Sequence, residues 1–201
     1  MKSLGVILTS DLSWNAHIAM VSSRVHGTLH RLRTRGWMLP HDTRVMLVQA
    51  LVFPHIDYAC LVYNGIPTYL NLKVQRLVNA GIRFIFRLRR DTSITPYRTE
   101  LGWPLVEDRR KYFLGCVAFS ILASTRPQLL YDALAPVIRR DVRRSVRLGS
   151  VGVVVPLSRT TSHRQAFHVS AAELLATLPE SLLNATSVNL FKSTFRAQIN
   201  F

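Results

Sequence analysis

Hydrophobic and polar positions along most of the chain recur at the spacing of an α-helix. The first helical pattern begins near Trp14, where Ser13 is a suitable cap, and ends at Gly36. A second pattern begins at Pro40 and is apolar on nearly all sides, so we expect it to form the most buried helix, broken at Pro54. The first pattern forms a hydrophobic seam of Trp14, Ile18, Val21, Val25, Leu29 and Leu32.

The clearest two-sided pattern lies in residues 68–89, which predict one long helix. Apolar side chains fill one half of its circumference, and no acid interrupts a row of cations on the other side. The row would extend roughly 25 Å, which is several phosphate spacings of a nucleic-acid backbone. Its members are Lys73, Arg76, Arg83, Arg87 and Arg90. We interpret them as candidate nucleic-acid contacts, the alternative being a solvated face covered by long arginine side chains.

A second set of cations lies beside the seam of the first helix. At about 100° per residue, His17, Arg24, Arg31 and Arg35 share one sector of that helix. Arg24, Arg31 and Arg35 are therefore also candidates for phosphate contacts, again with a solvated face as the alternative. The basic residues between 139 and 147 form either a phosphate-binding arm or a solubilising linker.

The remaining patterns predict shorter elements. Residues 4–8 predict a strand, whose partner lies either elsewhere in this chain or upstream of Met1, and we favour the second option. Residues 151–155 and 166–169 predict a small hairpin. Further helices are predicted after Thr92 and over about residues 106–124, 127–134, 170–177 and 187–199.

Composition favours a folded protein with an anionic partner. The chain is 48% hydrophobic, enough for a core, and its formal net charge of +15 favours nucleic acid before an anionic membrane. Between residues 12 and 90, eleven Arg or Lys residues face only two acids, so the excess is concentrated there. No secretory signal or membrane-length apolar run is present, which predicts a soluble intracellular protein, nuclear or cytoplasmic, with no membrane contact.

Candidate catalytic and metal-binding groups are sparse. His55 and Asp57 would point about 200° apart on a helix, and His163 and His168 have no nearby cysteine or acid to complete a zinc site. Cys60 and Cys116 lack partner spacing, so we expect neither a disulfide nor any cofactor. No closely spaced carboxylate pair lies on a predicted hairpin, the arrangement that two-metal polymerases need, and the adjacent acids Glu107 and Asp108 instead begin a predicted helix. A hydrolase that uses His55, Asp57 or His163 remains a third alternative.

Five segments, in order and over nearly the whole chain, resemble the C-terminal region of Jockey and chicken-repeat type non-LTR retrotransposon reverse transcriptases. The segments are 4–18, from Leu-Gly-Val-Ile-Leu to His-Ile; 51–60, with Pro-His-Ile-Asp-Tyr; 74–85, Val-Gln-Arg-Leu-Val-Asn-Ala-Gly-Ile-Arg-Phe-Ile; 101–112, with Gly-Trp-Pro; and 167–192, with Leu-Pro-Glu-Ser-Leu and Phe-Lys. Two features depart from the family. Leu175-Ala176-Thr177 replaces an aromatic-Asn pair, and the family's fingers and palm, with their aromatic-x-Asp-Asp motif, would lie upstream of Met1.

The resemblance implies a mainly α fold with a helical thumb-like bundle. Residues 1–9 would be a residual palm-edge strand, residues 10–90 the thumb-like bundle and residues 91–136 a helical extension. Residues 137–165 would be a basic linker with a possible strand, and residues 166–201 a small helical segment. Together these two regions would form a small α+β piece at the C-terminal side of the chain.

The implied function is sequence-tolerant binding of RNA, DNA or their hybrid, for template–primer gripping during RNA-directed DNA synthesis. The chain would not be an enzyme by itself, and a reverse transcriptase palm and fingers domain would be a further partner. The alternative is a protein-interaction module, or a non-functional remnant, that needs a separate palm domain to fold.

Overall fold

The protein is mainly helical. The computed structural model describes residues 1–11, 13–137 and 153–199, apart from the side chains of Arg35 and Trp37, and it confirms the predicted fold class. The chain divides into two compact units, Met1–Glu107 and Asp108–Phe201.

Two short strands come first, β1 Lys2–Ser3 and β2 Val6–Ile7. The helices that follow are α1 Asn15–Arg35, α2 His41–Leu51, α3 Phe53–Asp57, α4 Thr68–Phe86, α5 Thr95–Glu100, α6 Val106–Ser124, α7 Gln128–Leu134, α8 Thr161–Arg164, α9 Phe167–Thr177, α10 Glu180–Leu183 and α11 Val188–Gln198.

The chain begins with a small antiparallel hairpin. Lys2 pairs with Ile7 and Ser3 with Val6, and the turn between them has positive φ angles of 44° at Leu4 and 80° at Gly5. The prediction of one strand over residues 4–8 with its partner upstream is therefore wrong, because β2 pairs with β1 immediately before it. Glycine allows the left-handed turn at position 5 at little steric cost, and a four-residue pairing is too short to show an alternating pattern.

The core of the first unit lies between α1 and α4, which pack against each other. Four of the six predicted seam residues are buried, Ile18, Val21, Val25 and Leu29, whereas Trp14 and Leu32 at the two ends of the seam are half-buried. The most buried helix is α4 rather than α2, where only Arg44 and Val48 are buried. The prediction that the helix after Pro40 is the most buried was wrong, because the burial of an apolar helix depends on how many other helices pack against it. α2 packs on α3 and α4, and Met46 stays 59% exposed.

Helix ends follow the sequence signals in two cases and depart from them in two. Gly36 follows α1, and Pro54 lies in the first turn of α3, as predicted. Ser13 does not cap α1, since Trp14 occupies the N-cap position without a side-chain bond. α4 ends at Phe86, three residues before the predicted end, because Arg87 adopts a left-handed conformation with φ 56° and ψ 38°.

The second unit has its own aromatic core. Phe119 on α6 stacks on Phe191 of α11, with ring centroids 4.2 Å apart and an interplanar angle of 9°. Residues 166–169 were predicted as a strand, but α9 begins at Phe167, so that prediction was wrong and the C-terminal piece is helical where it is described. The basic segment 139–147, and residues 151 and 152 of the other predicted strand, lie outside the described residues.

Two helical glycines have opposite surroundings, which yields a stability prediction. A Cβ at Gly27 in α1 would meet nothing within 4 Å, so Gly27→Ala is expected to stabilise the protein by about 1 kcal/mol through helix propensity. A Cβ at Gly81 in α4 would lie 2.9 Å from Cγ1 of Val48, a β-branched side chain with little rotamer freedom. Gly81→Ala is therefore expected to destabilise it by about 1–3 kcal/mol. Urea unfolding of both variants checks the pair, and equal stabilisation by both would contradict the packing of α2 on α4.

Candidate functional site

A large groove within residues 1–107 is lined mainly by cations. Its volume is about 1090 Å³, and no Asp or Glu is among its described lining residues. Small and apolar residues also line it, namely Gly36, Ala80, Phe84 and Leu88. Its basic residues, which together define the arginine groove, are His26, Arg33, Arg44, Arg76, Arg83, Arg87 and Arg90.

Three helices contribute these side chains. Residues seven apart lie nearly above one another on a helix, so α1 presents His26 and Arg33 together, and α4 presents Arg76 and Arg83 together. α2 contributes Arg44. Because α1 and α2 both pack on α4, three separate stretches of sequence supply one positively charged surface.

The turn after α4 brings two more cations to the groove. Leu88 N–H donates to the Arg83 carbonyl over 3.0 Å, a bond that closes the helix around the left-handed Arg87. Nη2 of Arg83 in turn donates to the carbonyl of Arg90 over 3.3 Å. Arg87 and Arg90 therefore line the groove from this turn, and the prediction of one straight row along a single helix was wrong at its C-terminal end.

The left-handed backbone at Arg87 carries strain that a glycine would relieve. Because a non-glycine residue in this region is strained by roughly 1–2 kcal/mol, Arg87→Gly is expected to be more stable than Arg87→Ala by about 1 kcal/mol. Both variants lose the same charge, so any weakening of ligand binding should be equal. Chemical unfolding of the two variants tests this, and an Arg87→Ala protein as stable as Arg87→Gly would contradict the described helix end.

Arg44 is the least exposed cation of the groove. Its side chain is 8% exposed, and Nη1 donates to the Phe84 carbonyl over 3.4 Å. Burial, and to a smaller extent the charge of Arg87, lower the pKa of the Arg44 guanidinium. Sequence reasoning missed this residue, although a lone arginine in a helix expected to be buried was a usable signal.

Three of the other predicted contacts, Arg24, Arg31 and Lys73, lie away from the groove. Arg24 and Arg31 are exposed on α1 and do not line it, and the side chain of Arg35 lies outside the described residues. Lys73 is exposed and places Nζ 5.9 Å from the ring centre of Tyr69. The groove instead uses the opposite flank of the α1 seam, with His26 and Arg33, and their spacing of seven was the missed signal.

His17 belongs to the core rather than to a basic flank. It is 2% exposed, its ring centre lies 5.3 Å from that of Tyr63, and Ile7 N–H donates to its Nδ1 over 3.4 Å. Burial first, and then the charge of Arg24, lower the pKa of this imidazole. Its role is therefore structural, since it connects β2 to the aromatic core.

The remaining candidates form no metal centre. The rings of His163 and His168 lie 5.6 Å apart, and within the described residues no group of three or more metal-ligating side chains comes together.

No single helix of the described ranges is long and apolar enough to cross a bilayer. α6 together with residues 128–137 passes that test only as a pair bent by 103°.

Comparisons of the chain with protein-family models, curated proteins and solved structures found no match.

Proposed function

We propose that the chain binds nucleic-acid duplexes through the arginine groove without reading their sequence. The observation that carries this proposal is the convergence of six arginines from α1, α2, α4 and the turn after α4, with no acid among the described lining residues. Guanidinium groups grip phosphate oxygens bidentately and keep their charge at any physiological pH. A polyanion with regularly spaced phosphates is the ligand that fits such a surface.

The groove suits a backbone better than a small molecule or a single strand. Its volume of about 1090 Å³ lies at the upper end of the range of roughly 300–1,000 Å³ for small-molecule pockets, and its lining is mainly basic rather than apolar. Single-strand binding uses exposed aromatic platforms, whereas the one aromatic among the described lining residues, Phe84, is 7% exposed. Contacts to phosphates position a duplex without specifying its bases, which supports sequence-tolerant binding of RNA, DNA or their hybrid.

The resemblance to non-LTR reverse transcriptases gives this binding a biological setting. We propose that the chain grips a template–primer duplex inside the cell, in the nucleus or cytoplasm, for a polymerase whose palm and fingers are supplied elsewhere. By itself the chain is then a binding protein rather than an enzyme. The arginine groove supports this role because it occupies the region that resembles the thumb.

The salt dependence of binding tests the proposed function. If the groove neutralises about five phosphates, log K should fall with log salt concentration with a slope of roughly −4 to −6. Fluorescence anisotropy with duplexes of several unrelated sequences would measure the slope, and affinities should agree across sequences. A slope near zero, or strong preference for one sequence, would contradict the proposal.

A protein-interaction module is the second candidate, and one observation favours it. Leu4 at 88%, Tyr58 at 57% and Val62 at 56% exposure are large apolar side chains on the first unit, and the hydroxyl of Tyr58 donates to the Leu4 carbonyl over 2.6 Å. Such side chains are typical of a surface that a partner covers. This alternative predicts weak, salt-insensitive nucleic-acid binding, opposite to the slope expected above.

A further inference from the structure

Arg44 differs from its neighbours in the arginine groove because it carries its charge in a nearly solvent-free position. Its side chain is 8% exposed, and its Nε, which is fully buried, has no hydrogen-bond partner. The hydrogen bond that its Nη1 donates to the Phe84 carbonyl is long, at 3.4 Å. A buried cation is costly unless an anion or several hydrogen bonds compensate it. Arg44 therefore lacks the compensation that its burial demands.

A second unsatisfied guanidinium atom lies on the adjacent helix. Nε of Arg83 is also buried without a partner, while its Nη2 donates to the Arg90 carbonyl. The two helices meet at this point, because Arg44 bonds to Phe84, the residue next to Arg83. Both side chains line the same groove. Guanidinium groups of two arginines that line one groove can together bind the oxygens of one phosphate group.

We propose that Arg44 and Arg83, with Arg87 beside them, form a discrete phosphate-binding subsite within the arginine groove. The buried guanidinium fixes one phosphate in position, and the exposed cations of the groove attract the rest of the backbone. The charge of Arg87 acts on Arg44 in the same direction as burial, against the protonated form, so a bound anion relieves an unfavourable interaction. The subsite rests on the proposed function only for the source of its phosphate, which is either a strand end or an internal diester.

The test compares inorganic phosphate with sodium chloride at equal ionic strength. Thermal unfolding of the full chain is expected to show a phosphate-specific rise in Tm, because a ligand that binds the folded state stabilises it. Arg44→Gln should lose this rise, and Arg24→Gln should keep it, since Arg24 carries the same charge but is exposed outside the groove. Where Arg44→Gln does not fold, Arg83→Gln takes its place, because Arg83 is partly exposed and is expected to tolerate the change.

Duplex binding by the same variants separates the subsite from the proposed function. Arg44→Gln should weaken duplex binding roughly tenfold near 0.1 M salt, the effect of one phosphate contact. A wild-type protein that responds to phosphate but binds no duplex would overturn the proposed function and support the subsite. An unchanged phosphate response in Arg44→Gln, or in Arg83→Gln where that variant replaces it, would overturn the subsite and leave duplex binding intact.

Duplexes with 5′-phosphate or 5′-hydroxyl ends identify the source of the phosphate. A preference for the phosphorylated end that Arg44→Gln abolishes would assign the subsite to a strand terminus. Equal binding of both duplexes, weakened alike by Arg44→Gln, would assign it to an internal diester.

Discussion

Replacing Arg76, Arg83 and Arg87 together by glutamine is expected to weaken duplex binding roughly 10²- to 10³-fold near 0.1 M salt. Each phosphate contact contributes about 0.9 to the slope of log K against log salt concentration, so losing three should also flatten that slope by about 3. The three side chains line the arginine groove from α4 and the turn after it. Anisotropy titrations at several salt concentrations would measure both quantities.

A matched variant separates groove contacts from net charge. Arg24, Arg31 and Lys73 are exposed and lie outside the groove, so their replacement by glutamine removes the same three charges without removing the contacts. We expect this control to lose less than about tenfold in affinity, through weaker long-range attraction alone. Equal losses in both triple variants would mean that charge, and not the groove, controls binding.

Truncating Phe191 is expected to cause the largest loss of stability from a single substitution, about 3–5 kcal/mol. The side chain has no exposed surface, and it stacks on Phe119 at 4.2 Å while contacting Phe195 at 5.3 Å between ring centres. Phe191→Ala leaves a cavity and removes two aromatic contacts. Since folded domains are stable by only about 5–15 kcal/mol, a large share of the stability of this unit would be lost.

The distribution of tryptophans makes this experiment specific. All three lie in the first unit, at positions 14, 37 and 103, so tryptophan fluorescence follows residues 1–107 while circular dichroism follows helices in both units. Phe191→Ala should lower the denaturant midpoint seen by circular dichroism. Leu190→Ala, at a neighbouring position that is 49% exposed, should change it little. Similar midpoints for the two variants would contradict the described packing of α11.

The sequence predicted the long helices well and their ends and surroundings less well. α1 and α11 follow three-and-four patterns, whereas α6 is marked by Pro104 before it and by a long apolar run, and the bounds of all three lie within about two residues of the prediction. The end of α4 was missed because Arg87, rather than a glycine, adopts the left-handed conformation, and no residue type marks that position. The burial of α2 was overestimated because it depends on which helices pack around it.

The arginine groove could be predicted only in part for a related reason. Arg76 and Arg83 share a face of one helix, and periodicity is enough to group them. Periodicity cannot say which flank of α1 lies beside that face, since both flanks of its seam carry cations. The predicted contacts of α1 were Arg24 and Arg31, on one flank of the seam, whereas Arg33, on the other flank, lines the groove. Arg44 comes from a third helix, and only packing brings it to the others.

The absence of acids among the described lining residues of the groove has a consequence for the unliganded protein. Cations gathered on one surface repel one another across short distances, and dissolved ions screen that repulsion. Rising ionic strength should therefore raise the free energy of unfolding of the ligand-free first unit, while it lowers the affinity for a bound polyanion. The same electrolyte thus favours folding and opposes complex formation.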